Sequence, residues 1–78
     1  MSKQIPWNKI ILEEFIRLGA LSDIEEQVIR TRVAGWSRIE QSMKLGVSLS
    51  TIDRAIKSCK IKYDAVEKYS YILPPRER

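Results

Sequence analysis

Four residues constrain what this chain can fold into more than any others: Ser37, Glu40, Gly46 and Ser48. Ser37 stands three residues before Glu40, the capping-box spacing in which the hydroxyl accepts a backbone N–H of the new helix and the carboxylate reaches back. The spacing predicts a helix over 37–45. It can run no further, because Gly46 is the residue type that tolerates a left-handed backbone at a helix end, and Ser48 already caps the next helix. A short helix, a turn containing glycine and a longer cationic helix form the outline of a helix-turn-helix, whose second helix lies in the major groove of DNA. Any small helical bundle with two capped helices around a glycine carries the same local signals.

Two helices are expected before this pair. Asn8, preceded by Ile5-Pro6-Trp7, is a good cap residue and opens a helix over 8–18 that ends at Gly19. Ile11, Phe15 and Leu18 share one face of it, a spacing that suits a core-facing lid over the motif, while Glu13, Glu14 and Arg17 suit a solvated surface. Ser22 and Glu25 repeat the capping-box spacing ahead of Ile24, Val28, Ile29 and Val33, predicting a helix over 22–34 that stops at Gly35. Trp36, just past that glycine, is expected in the core through the hydrophobic contact that accompanies such helix ends.

The last helix is expected over 48–69. At ~100° per residue Ile52, Ala55, Ile56, Cys59, Tyr63 and Val66 fall in one narrow stripe, as in a continuous amphipathic helix. Cys59 lies inside the stripe and is expected to be a buried small hydrophobe. Leu49, Ser50, Asp53, Arg54 and Lys57 project away from the stripe near the helix start, where helix-turn-helix proteins read base edges. Ile61 lies nearly opposite the stripe with Ala65 on its flank, so something should cover it. The segment 70–78 cannot continue the helix past Pro74 and Pro75, yet Tyr71, Ile72 and Leu73 are too apolar for a disordered tail. It is expected to fold back on its own domain or to dock on a second chain.

Leu21-Ser22, Glu25, Val28-Ile29, Arg32, Gly35, Ser37, Glu40, Leu45-Gly46-Val47-Ser48 and Thr51-Ile52 follow one another in a recognisable order and spacing. Across about Leu21 to Lys62 the chain resembles the DNA-binding region 4 of bacterial sigma factors and the similar response-regulator domains of the LuxR type. The resemblance implies an all-α fold of about four helices with a helix-turn-helix and a long C-terminal recognition helix. It also implies transcription regulation, an origin on a phage or mobile element, and a link between the supporting helices made by Glu25 and Arg32. The sequence departs from that pattern where the family has an Ile-Ala pair and this chain has Gln41 and Ser42. Ser42 is small enough to replace Ala. Gln41 must either make hydrogen bonds or turn outward, since an unpaired buried amide costs a few kcal/mol. Ile39 and Met43 lie on a neighbouring face to Leu45, so this helix can be rotated or contact a different partner.

Charge points the same way. The net charge is +4, from 14 Lys and Arg against 10 Asp and Glu. The excess lies in the last helix and beyond, where counterion release would support binding to phosphates. Leu49, Ser50, Asp53 and Arg54 are the expected base contacts: Arg54 can pair bidentately with guanine, Leu49 can touch a thymine methyl, and Asp53 can accept from cytosine N4 or orient Arg54. Asp53 also suits the first turn of a helix for electrostatic reasons alone. Ser37, Arg38, Thr51, Lys57 and Lys60 are the expected phosphate contacts. Because a single unit buries only about 600–1,000 Å² on DNA, a homodimer is expected, paired through Ile61, Ala65, Tyr71, Ile72 and Leu73.

Composition narrows the remaining classes. The 78 residues, 44% of them hydrophobic, suit one small domain with a thin core. One Cys and no His leave no disulfide framework, no Cys/His metal site and no histidine-based triad, so neither an enzyme nor a metal or other cofactor is expected. The Ile10-Ile11-Leu12 run is cut by Glu13 and Glu14, so no membrane segment or signal peptide is expected and a cytoplasmic location is. The partners expected are double-stranded DNA, a second copy of the chain and RNA polymerase. The alternative is an interaction module on the same scaffold that binds RNA polymerase or a phage DNA-packaging partner without reading bases.

Overall fold

A computed structural model describes residues 5–75. Its order is α1 (Lys9–Gly19), α2 (Asp23–Val33), α3 (Arg38–Leu45) and α4 (Leu49–Val66), followed by one 3-10 turn, Glu67–Tyr69. The all-α, four-helix architecture is the one expected, and among the described residues no helix is long and apolar enough to cross a membrane. All four helices start at the side-chain caps read from the sequence. Asn8 Oδ1 accepts the Ile11 N–H at 2.9 Å, and Ser48 Oγ accepts the Thr51 N–H at 3.2 Å. Ser22 with Glu25 and Ser37 with Glu40 make complete capping boxes.

The ends are equally local, with one displacement. Gly46 takes the left-handed conformation at the end of α3, at φ +71°. There the Gly46 and Val47 N–H groups both donate to the Ser42 carbonyl, and the Ser42 hydroxyl donates back to the Val47 carbonyl at 2.5 Å. At the end of α1 the left-handed residue is Ala20, at φ +51°, one position after the glycine. Gly19 is helical and serves close packing instead: a Cβ there would come within 3.1 Å of the Phe15 ring and 3.2 Å of Leu21 Cδ2. The last helix is also shorter than expected, since the α-helix stops at Val66 and residues 67–69 tighten into the 3-10 turn.

Two clusters of buried residues lie along α4. Ile11, Leu12 and Phe15 of α1, Ile29 of α2, Cys59 and Tyr63 of α4 and Leu73 of the tail form one. Val28 of α2 with Ile52 and Ala55 of α4 forms the other, against which Leu45 and Val47 pack. The α4 stripe therefore faces inward along its whole length, serving α1 with its second half and α3 with its first. At the centre of the larger cluster the rings of Trp7, Phe15 and Tyr63 meet at centroid distances of 5.3–5.9 Å and tilted or edge-on angles, as aromatic quadrupoles favour. Burial pushes the Cys59 thiol up to about 11, so it stays protonated and unreactive near neutral pH.

The tail folds back. Leu73 is only 3% exposed within the larger cluster, and the Tyr63 hydroxyl donates to the Pro74 carbonyl. This corrects the placement of Leu73 on a dimer surface: the apolar side chain is used inside its own domain. Tyr71 and Ile72 remain exposed, and Ile72 lines a shallow groove with Lys9, Ile10, Glu13, Glu14 and Arg17 of α1. Ile61 and Ala65 are exposed on α4.

Gln41 resolves inward. It is fully buried between α2 and α3, and its amide nitrogen donates to the Val28 carbonyl and the Thr31 hydroxyl, both at 2.9 Å. Its Oε1 is the one buried side-chain polar atom among the described residues without a partner. Turning Gln41 inward turns Ile39 and Met43 outward, where they are 62% and 76% exposed. Trp36 is half-buried, not in the core as expected, and lies under the Lys44 ammonium at 4.6 Å from the ring centroid.

Candidate nucleic-acid interface

The outward face of α4 begins at the Ser48 cap, which fixes the first turn, and continues opposite the buried stripe. Leu49, Ser50, Asp53, Arg54, Lys57 and Lys60 are all exposed on it. Thr51 lies at its edge, half-buried, with its hydroxyl 3.0 Å from that of Ser48. The turn of residues 46–48 brings α3 alongside, so that Ser37 and Arg38 open a second helix next to this face. Ser37 is exposed while its hydroxyl holds the α3 cap, accepting the Glu40 N–H at 3.1 Å.

The charged groups sort into two kinds. Five of the described cations are engaged: Arg17 with Glu14, Arg30 with Glu13 and Glu26, Lys44 with Glu40, Lys62 with Glu25, and Arg38 with Asp53. The Arg30 guanidinium holds the Glu13 carboxyl below the usual range, and Arg17 and the Ser70 hydroxyl do the same for Glu14. Arg54, Lys57 and Lys60, by contrast, have no ion pair among the described residues. The cations left to solvent on α4 are therefore Arg54, Lys57 and Lys60, all exposed.

Two expected roles are changed by contacts between distant residues. Asp53 does not orient Arg54: both its oxygens are taken by Arg38, with Nε at 2.5 Å and Nη2 at 2.6 Å. Hydrogen bonding to Arg38 lowers the Asp53 carboxyl, and Arg32 at the end of α2 adds to the effect. Glu25 joins α2 to α4 through the Lys62 ammonium at 2.5 Å and the Ser58 hydroxyl, with the Ser22 N–H at 2.9 Å on the same carboxylate. Arg32 is exposed near Asp53 and takes no part in that link. Neither the Arg38–Asp53 pair nor the Glu25–Lys62 pair has a sequence signature, because the partners are 15 and 37 residues apart.

By fold and surface the chain is a small all-α bundle that carries two helices joined by a capped glycine turn, the second helix showing a cationic outer face. No protein-family model, curated protein or solved structure matches it.

Proposed function

We propose that the chain binds double-stranded DNA sequence-specifically and regulates transcription, inserting the first half of α4 into the major groove. The observation that carries this reading is the set of cations without acidic partners, Arg54, Lys57 and Lys60, on the exposed side of the second helix of a helix-turn-helix. The major groove is about 12 Å wide and admits a helix, and unpaired Lys and Arg side chains displace its counterions. Leu49, Ser50 and Arg54 then face base edges, and Lys57, Lys60, Thr51, Ser37 and Arg38 face phosphates. The similarity to sigma region 4 and LuxR-type domains belongs to the same proposal.

Titration of labelled duplexes, selected from a random pool by the wild-type protein, tests it. Affinity should fall steeply with salt. Lys57→Ala should weaken all duplexes alike and reduce the magnitude of the log–log salt slope by about 1. Arg54→Ala should cost about tenfold or more on the selected site and little on random sequence. If neither substitution changes affinity, the interaction-module reading takes over. That reading, with RNA polymerase or a DNA-packaging protein as partner, draws support from the exposed Ile39 and Met43 on α3.

The DNA-binding reading includes a homodimer on adjacent half-sites. With Leu73 internal, Ile61, Ala65, Tyr71 and Ile72 are the exposed apolar candidates. Ile61→Lys should give monomers that keep full helicity and lose affinity for a duplex with two half-sites. A wild-type chain that sediments as a monomer at high micromolar concentration on such a duplex removes the dimer from the proposal.

A further inference from the structure

Asp53 stands half-exposed on the face proposed to meet a polyanion, where a free carboxylate would repel phosphates. It is not free. Arg38, the first residue of α3, grips it side-on through Nε and Nη2. That grip uses two of the five guanidinium N–H groups and leaves three, two on Nη1 and one on Nη2, without an acceptor among the described residues. Arg32 adds a positive charge nearby from α2, so cations from two helices converge on a carboxylate carried by a third.

We infer that Asp53 is a positioning residue: it holds the Arg38 guanidinium across the α3–α4 turn so that the remaining N–H groups can donate to a backbone phosphate. The inference rests on the DNA-binding reading above and assigns Asp53 a role other than base contact. A free arginine surrenders rotamer freedom when it takes up a phosphate, and one already clamped in a planar pair gives up less at the binding step. The clamp belongs to α4, so the phosphate contact made from α3 is tied to the register of the helix that reads the bases. Phosphate contacts of this kind set orientation on the duplex without reading sequence.

The sign of one substitution separates this from a plain surface ion pair. Were Asp53 only a surface charge, Asp53→Asn would remove a repulsion and tighten binding to every duplex. If it positions Arg38, Asp53→Asn should weaken binding to the selected duplex about three- to tenfold, despite the lost negative charge. In an Arg38→Ala background the same change should tighten binding instead. Arg38→Lys, which keeps the charge and cannot grip the carboxylate side-on, should lose affinity by a similar factor. Tighter binding of Asp53→Asn in both backgrounds, weaker binding in both, or unchanged affinity in Arg38→Lys overturns the inference while leaving DNA binding intact. A wild-type protein that binds no duplex from the pool overturns the DNA reading itself. All variants are compared at equal helicity and melting temperature, which half-exposed side chains allow.

Discussion

Phe15→Ala will remove a large share of the chain's stability. The ring has no exposed surface and stands between Trp7 and Tyr63, with centroids at 5.9 and 5.3 Å. Truncating a buried phenylalanine costs about 3–5 kcal/mol, because the lost transfer energy is joined by the cost of a cavity that neighbours fill only in part. Gly19, against which the ring sits, has no side chain to move into the vacated space. A domain of this size holds only about 4–12 kcal/mol in total. Thermal melts followed by circular dichroism should show a fall of about 15–30 °C, with Trp7 fluorescence losing its native signature in the same transition. Phe15→Leu should recover most of the loss. A fall of less than about 5 °C for Phe15→Ala would show that the larger cluster is not where the stability resides.

Acid should weaken the fold through Glu25. The carboxyl is only 8% exposed, and burial by itself pushes its pKa up. Hydrogen bonds from Lys62, Ser58 and the Ser22 backbone outweigh burial and bring the value down to about 2. The folded-state value thus lies below the unfolded one of 4.5, so the unfolded chain binds the proton more readily. Stability from this group is fully present above about 4.5 and is lost as the pH falls toward about 2, amounting to at most about 3 kcal/mol. Glu25→Gln keeps the shape and removes the charge, and should cost about 2–3 kcal/mol at pH 7. The loss stays moderate because Lys62, about one-third exposed, can turn its ammonium to water. Urea titrations at neutral and acidic pH check both parts: Glu25→Gln should be less stable than wild type at neutral pH and converge with it in acid. Parallel stability curves with an unchanged gap would mean that the carboxylate has another role.

The residues that could be read in advance are those whose partners lie within one helical turn. Asn8, Ser22, Ser37 and Ser48 each meet a backbone N–H three residues on, so a cap is a statement about four consecutive residues and needs no knowledge of the rest of the chain. The stripe of Ile52, Ala55, Cys59 and Tyr63 is likewise a property of helical period, and all four are buried. From the stripe follows its complement, so the exposure of Leu49, Ser50, Asp53, Arg54, Lys57 and Lys60 was legible too. Gly19 shows where local reasoning stops. A glycine near a helix end suggests a left-handed stop, but here the missing Cβ makes room for Phe15 and Leu21, and Ala20 takes the left-handed turn.

By itself the amino-acid order determined four helices, their starting residues, the inward stripe of α4 and the cationic face opposite. Tertiary structure alone decided that Leu73 completes the core, that Gln41 turns inward and leaves Ile39 and Met43 outside, and that Asp53 is held by Arg38 and Glu25 by Lys62. The reason is geometric: helical period fixes which residues share a face, whereas the crossing of one helix over another decides which faces meet. Several carboxylates and cations were equally able to pair along the sequence, and the packing of α2 and α3 against α4 selected among them.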